Sequence, residues 1–173
     1  MNEEMDSLHS NNTFDLLPLP QGREPVGSRW VYAVKTDPMG GERFKARFVA
    51  KGFSQEEGLD YDETFSPTAK MTSVRTLIQV AANLNLHIHQ MDVKTAFLHA
   101  DIDREVFVQQ PPGFEKYDDK GNLLYCKLNK SLYGLKQAGR LWNKNIHEFL
   151  ISQNFVQSKV DNCVYVKQDG NNI

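Results

Sequence analysis

The stretch RWVYAVKTDPMGGERFKARFVAKGF, residues 29–53, decides the fold class. Arg29 to Lys35 is rich in β-branched and aromatic residues, the composition of a strand. Asp37 to Glu42 is turn chemistry: Pro38 presets φ, and Gly40 and Gly41 permit positive φ. Phe44 to Phe53 alternates. Side chains in a strand repeat every two residues, so Phe44, Ala46, Phe48 and Ala50 share one face and Lys45, Arg47 and Lys51 the other. The pattern predicts a β-hairpin with one apolar and one cationic face. Such a face suits polyphosphate or a nucleic-acid backbone. It equally suits a strand face kept soluble by its charges.

Outside the hairpin, charge is segregated along the chain. The net charge is −2 and the pI is about 6.2, which by itself argues against a nucleic-acid binder. Between Gly27 and Phe53, however, six cations stand against Asp37 and Glu42. Ser54 to Ala69 holds five acids and no cation, and Lys120 to His147 holds six cations and no acid. Residues 1–15 carry Glu3, Glu4, Asp6 and Asp15 without a cation; residues 1–26 are expected to be an acidic, loop-like extension preceding a domain over 27–173. The 173 residues, 40% hydrophobic and 24% charged, have ordinary globular composition and suffice for one domain. No apolar run approaches the roughly 18 residues of a helical membrane span. The start MNEEMDSLHSNN has neither the basic region nor the apolar core of a secretory signal. No membrane partner is expected. Cys126 and Cys163 are isolated and are read as reduced cytosolic thiols.

Downstream, Thr72 or Ser73 can cap a helix running to about Leu86. Val74, Leu77, Ile78 and Ala81 fall on one helical face, so this helix is expected to pack on a core. LHIHQMDV (86–93) reads as a short strand ending near Asp92, and REVFVQQ (104–110) as another. A carboxylate at a strand end suits Mg²⁺, which prefers hard oxygen donors, and it equally caps a turn. His87, His89 and His99 lack companions at metal-ligand spacing and are read as structural or exposed. LLYCKL (123–128) reads as a strand, and Gln137 to Gln153 as a helix. On that helix Ala138, Leu141, Trp142, Ile146, Phe149 and Leu150 form an apolar face, with Lys136, Arg140 and Lys144 as a basic ridge roughly opposite. A solvated face explains the ridge; so does a nucleic-acid cleft.

WVYAVKTDPMGGERFKARFVAKGFSQEEGLDYDETFSP (30–67), QMDVKTAFLHADIDREVFVQQPPGF (90–114) and KLNKSLYGLKQAGRLWN (127–143) closely resemble the reverse transcriptase of copia-type LTR retrotransposons, from about Gly27 onward. The resemblance implies an α+β fold, the fingers and partial palm of a right-hand polymerase. It implies nucleotidyl transfer from dNTPs on an RNA or DNA template-primer, with Mg²⁺ as cofactor. On the matching positions, Asp92 is similar to the first metal-binding aspartate, with the Val93 carbonyl assisting. Phe97 is similar to the aromatic gate that excludes a 2′-hydroxyl. Lys45 and Arg47 correspond to residues holding the triphosphate. Lys136 and Gln137 belong to a segment lining the nucleotide pocket, and Lys51, Arg140 and Lys144 are candidates for nucleic-acid contact. The family also uses a Tyr-Val-Asp-Asp hairpin. DNCVYVKQDGNNI (161–173) reads as the strand and Asp169-Gly170 turn just before it, so the fold is expected to be truncated there. A lone carboxylate cannot hold two Mg²⁺ ions, and the polypeptide alone is expected to be inactive. An unpaired edge near Val164–Lys167 is expected to leave it marginally stable. Two other readings stand beside this one: a non-catalytic nucleic-acid-binding remnant, and an inert decayed insertion. The expected location is cytoplasmic, within a virus-like particle of the parent element.

Overall fold

The computed structural model of the chain describes residues 1–36 and 40–168. The predicted turn residues Asp37–Met39 and the Asp169-Gly170 turn lie outside the described residues. Described helices are α1 (Asn2–Ser10), α2 (Met71–Asn83) and α3 (Ala138–Ser152). Described strands are β1 (Phe14–Leu17), β2 (Ser28–Thr36), β3 (Glu42–Ala50), β4 (Phe107–Val108), β5 (Tyr125–Leu128), β6 (Val156–Gln157) and β7 (Tyr165–Val166). All the strand pairs are antiparallel, as an α+β fold requires. The chain divides into two units, Met1–Thr64 with Thr95–Trp142, and Phe65–Lys94 with Asn143–Ile173.

In the first unit the predicted hairpin is present: β2 and β3 pair over their whole lengths, from Ser28 opposite Ala50 to Thr36 opposite Glu42. Its apolar face is covered only at one end. Phe48 is 0% exposed and Ala50 3%, whereas Phe44 is 76% exposed. Trp30 lies across from Phe48, tilts against it and against Phe114, and donates its indole N–H to the Pro112 carbonyl at 2.9 Å. The second sheet has the order β1-β5-β4. It continues past β4, because Val26 N–H donates to Phe107 O and Gln109 N–H to Val26 O. The strand expected over 104–110 is therefore shorter as a ladder but has partners on both sides. Leu8, Phe48, Leu98, Val106, Val108, Cys126, Leu128, Leu132 and Leu135 form the core between these elements. Burial pushes the Cys126 thiol up to about 12, which keeps it protonated and inert.

Residues 1–26 are not the loop-like extension that composition suggested. Met5 and Leu8 on α1 are buried in the core, and β1 pairs residue for residue with β5, Phe14 opposite Leu128. Glu4 is buried too, and its Oε1 accepts the Phe48 N–H at 3.3 Å. It thus satisfies a donor on the edge of β3 that no strand covers.

In the second unit α2 starts after Lys70, which makes no side-chain cap. The cap comes from 91 residues downstream: Asp161 Oδ2 accepts the Lys70 N–H at 3.0 Å. Asp161 Oδ1 also accepts the Cys163 N–H at 2.9 Å. The expectation that α2 packs on a core is corrected. None of its residues is buried, and Leu77 and Ile78 are 52% and 53% exposed. LHIHQMDV, expected to be a strand, forms no helix or strand. The expected unpaired edge at Val164–Lys167 is partly filled, since Tyr165 pairs with Gln157 and Val166 with Val156. His147 of α3 fixes this hairpin further, its Nδ1 lying 2.9 Å from the Tyr165 hydroxyl.

Candidate functional site

Residues opposite one another in an antiparallel pair share a face, so the hairpin register settles which cations stand together. Arg29 faces Val49, Val31 faces Arg47, Ala33 faces Lys45 and Lys35 faces Arg43. Five cations therefore lie on one face: the predicted Lys45 and Arg47, and also Arg29, Lys35 and Arg43. The last three were missed as a group because no single-strand pattern shows which β2 residues oppose which β3 residues. Burial, and then the neighbouring Arg47 and Lys35 charges, push the Lys45 ammonium below its usual range, while Glu4 opposes the shift. An anion brought to this face relieves mutual repulsion among its cations. Lys51 departs from the predicted face. β3 ends at Ala50, and Lys51 caps a 3₁₀ turn over Gly52–Ser54 with a non-strand backbone. Its N–H donates to Gly27 O at 2.8 Å.

Arg47 does not stand alone. Its guanidinium carbon lies 5.1 Å from the centroid of the Tyr133 ring, within cation–π range. On the ring's other contact, Tyr133 meets Phe97 at 5.1 Å between centroids with planes 68° apart, the preferred edge-to-face arrangement. Phe97 sits on a 3₁₀ turn, Ala96–His99, entered through a left-handed Thr95 and anchored by buried Leu98. Tyr133 is held by the main chain, its carbonyl accepting the Ala50 N–H at 2.8 Å. The structure thus brings Arg47 and Phe97, expected to hold phosphate and to check the sugar, into contact with one tyrosine. Sequence reasoning quoted the segment containing Tyr133 without singling it out; the signal was an aromatic residue immediately before Gly134.

Lys136 and Gln137, expected to line a nucleotide pocket, are placed differently. Gln137 is 0% exposed. Its Oε1 accepts from Gln55 Nε2 at 3.0 Å and its Nε2 donates to Asp60 O at 2.8 Å. With its side chain fully buried and bonded inside the protein, Gln137 is an internal tie between the 55–60 segment and the start of α3 rather than the wall of an open pocket. Lys136 donates to Gln55 O at 3.2 Å and to the Tyr61 hydroxyl at 3.0 Å, and lies 4.6 Å over the Tyr61 ring. Gly52 and Gly134 let the two turns dovetail: a Cβ on Gly52 would stand 2.1 Å from Gly134 O. The predicted basic ridge is also broken up. Arg140 pairs with Asp103 at 3.5 Å and Lys144 with Glu148 at 3.9 Å. The acids absent from the sequence around these cations are supplied by the fold and by the next helical turn.

Asp92 and Val93 belong to the second unit. Both are exposed, on an irregular segment that joins no sheet among the described residues. No three His, Cys, Asp or Glu side chains among the described residues gather in a way that could hold a metal ion. No helix among them is long and apolar enough to cross a membrane.

Five cations on one hairpin face, with the Arg47–Tyr133–Phe97 contact chain beside them, belong to a domain of mixed helix and strand. The family model for reverse transcriptase (RNA-dependent DNA polymerase) matches residues 11–173, and the chain belongs to that family. It is 48% identical over 99% of its length to the retrovirus-related Pol polyprotein from transposon TNT 1-94 of Nicotiana tabacum. It is 43% identical over 100% of its length to that from transposon RE1 of Arabidopsis thaliana. It is 38% identical over 63% of its length to the transposon Ty1-BL Gag-Pol polyprotein of Saccharomyces cerevisiae. The chain spans 13%, 12% and 6% of the lengths of these relatives. No solved structure matches. The family match starts upstream of the Gly27 at which the quoted motifs begin, in line with β1 being integral to the first unit.

Proposed function

We propose that residues 1–173 are the nucleotide- and template-gripping part of a retrotransposon reverse transcriptase, corresponding to fingers and a partial palm. The observation that carries this reading is the contact chain Arg47–Tyr133–Phe97 beside five cations on one hairpin face. Lys45 and Arg47 hold the triphosphate, Arg47 through the planar fork that pairs two phosphate oxygens. Phe97 lies under the sugar and rejects a 2′-hydroxyl. Arg29, Lys35 and Arg43 track a nucleic-acid backbone. In the longer polyprotein the reaction is attack of a primer 3′-hydroxyl on the α-phosphate of a dNTP, with pyrophosphate leaving. Mg²⁺ is the proposed ion, which when bound would supply positive charge against the reacting phosphate. Asp92 and the Val93 carbonyl offer only a few oxygens, and no further carboxylate joins them among the described residues. This set does not fit a two-ion group, and no step is derived through it.

Residues 1–173 contain no Tyr-Val-Asp-Asp, so the polypeptide of these residues alone is proposed not to polymerise. Primer extension on poly(rA)·oligo(dT) with dTTP and Mg²⁺ tests this. No product is expected; template-dependent product that vanishes in Asp92→Ala overturns it. The five-cation face also favours a second reading, nucleic-acid binding without catalysis. Single-stranded oligonucleotide should then bind with an affinity falling steeply with salt, through counterion release, and a flat salt response counts against it.

A further inference from the structure

We propose that Tyr133 is a positioning residue that couples the triphosphate grip of Arg47 to the sugar check of Phe97; the inference rests on the roles given above to those two residues. An arginine has two usable surfaces. Its flat face stacks, and its edge carries the N–H donors that fork onto phosphate oxygens. The guanidinium carbon lies over the Tyr133 ring at 5.1 Å, and one ring engages only part of a group with five N–H donors. Among the described residues Arg47 has no carboxylate within 4.0 Å, so nothing diverts that edge into an ion pair. The neighbouring Lys45 repels it and Glu4 attracts it, and the Tyr133 ring gives so long a side chain a fixed neighbour.

The partner is fixed. Leu132 and Leu135, on either side of Tyr133, are 0% and 5% exposed. The Tyr133 carbonyl is bound to Ala50 at the end of the strand that carries Arg47. Gly134 packs so closely on Ala50 that the loop has no alternative path. The same ring meets Phe97 edge to face, and Ser131 N–H, two residues before it, donates to Ala100 O at 2.8 Å in the loop that follows Phe97. A shift of the guanidinium is therefore transmitted through one rigid ring to the gate. Triphosphate binding and sugar discrimination become properties of a single stack rather than of two independent residues.

The test uses titration calorimetry of the 173-residue chain with inorganic tripolyphosphate, dATP and ATP. Tyr133→Leu removes the π face; it is expected to weaken tripolyphosphate about three- to tenfold, the scale of a partly exposed cation–π contact. It is also expected to bring the dATP and ATP affinities together. Tyr133→Phe keeps the ring and is expected to stay within about twofold of wild type on both measures. Arg47→Ala weakens tripolyphosphate, and adding Tyr133→Leu to it is expected to cost nothing more, because the tyrosine acts through the arginine. Arg47→Lys keeps the charge, loses the flat face, and is expected to reproduce the Tyr133→Leu loss even if that variant does not fold. Additive losses in the double variant, or an unchanged dATP preference in Tyr133→Leu, overturn the coupling alone. Full tripolyphosphate affinity in Arg47→Ala, or full dATP preference in Phe97→Ala, overturns the underlying roles and the coupling with them.

Discussion

Replacing Gly134 by alanine tests whether the contact between β3 and the 131–135 loop is as tight as the geometry says. Gly134 has φ +90°, and a Cβ placed there would stand 2.1 Å from Ala50 O and 2.6 Å from Val49 Cγ1. The left-handed backbone alone costs a non-glycine residue about 1–2 kcal/mol. The clash adds to this, because the atom in the way is backbone of a paired strand and cannot rotate aside. Separating the two segments loosens the 2.8 Å hydrogen bond from Ala50 N–H to Tyr133 O, about 1 kcal/mol net, and disturbs the packing of Leu132 and Leu135. The sum is about 3–5 kcal/mol, at the severe end for a single substitution. Gly121 is the control: its φ is +81° and nothing lies within 4 Å of its would-be Cβ, so Gly121→Ala pays only the backbone cost, about 1–2 kcal/mol. Urea unfolding followed by tryptophan fluorescence and far-ultraviolet circular dichroism should lower the midpoint by about 2 M for Gly134→Ala, well beyond the control. Equal midpoints for the two variants would refute the claim that close approach, rather than φ, makes Gly134 necessary.

Three further outcomes follow from the charges and the burial pattern. Hydrogen bonds from the Ser73 side chain and from the Cys163 and Lys70 N–H groups hold the Asp161 carboxyl below the usual carboxylate range; the unfolded chain binds that proton more tightly, so the stability it contributes is present above about pH 4 and lost as pH falls through the depressed native value. Thermal melts between pH 6 and 2.5 should show a loss that Asp161→Asn lacks, and identical profiles would remove Asp161 as the cap. Glu4 runs the other way: burial raises its pKa against the pull of Phe48 N–H, Arg47 and Lys45, so its contribution is largest below the unfolded pKa and lost as pH rises through the native one. Glu4→Gln keeps an acceptor for Phe48 N–H and should match or exceed wild-type stability at pH 7; a fall of more than about 1 kcal/mol there would show the charge to be stabilising after all. Finally, α2 has no buried residue while β5 buries Cys126 and Leu128, so native-state hydrogen exchange should find α2 amides opening at much lower free energy than those of β5.

Period alone made the hairpin legible, because alternation in 44–53 states which side chains share a face. It does not state whether a face is covered. Phe44 and Phe48 sit on the same side of the same strand, one exposed and one fully buried, and the difference lies in what the Trp30 and Phe114 end of the hairpin packs against. The same gap explains α2, whose amphipathic pattern is real and whose apolar stripe is exposed. Gln137 escaped because its burial depends on Gln55, 82 residues away, and a glutamine in a polar-looking motif carries no mark of that partner. Arg140 escaped likewise, its charge answered by Asp103, 37 residues distant. The N-terminal stretch misled by composition: its acids hid the Met5/Leu8 spacing and the Phe14–Leu17 strand that bury it. The family resemblance pointed to Lys45, Arg47 and Phe97; the tyrosine that touches Arg47 and Phe97 became visible only through long-range contact.

The two units differ in how firmly they hold what the proposed reaction asks of them. Arg47 and Phe97 stand on a paired strand and an anchored turn, joined through Tyr133 by backbone bonds that a bound ligand need not create. Pre-ordered groups of this kind spare a ligand the entropy of arranging them. Asp92 and Val93 stand exposed on an irregular segment with no strand partner among the described residues, so fewer contacts hold a carboxylate there in one place. On the proposed reading, affinity for the triphosphate is therefore built into residues 1–173, whereas the geometry that would place an ion against it is not. A deoxynucleotide should bind this chain through Arg47 and Tyr133 with nearly the same affinity whether or not Asp92 is replaced by alanine. A large loss in Asp92→Ala, measured against dATP with Mg²⁺ present, would mean that the segment is ordered by the ligand and that the two halves of the chemistry are already coupled.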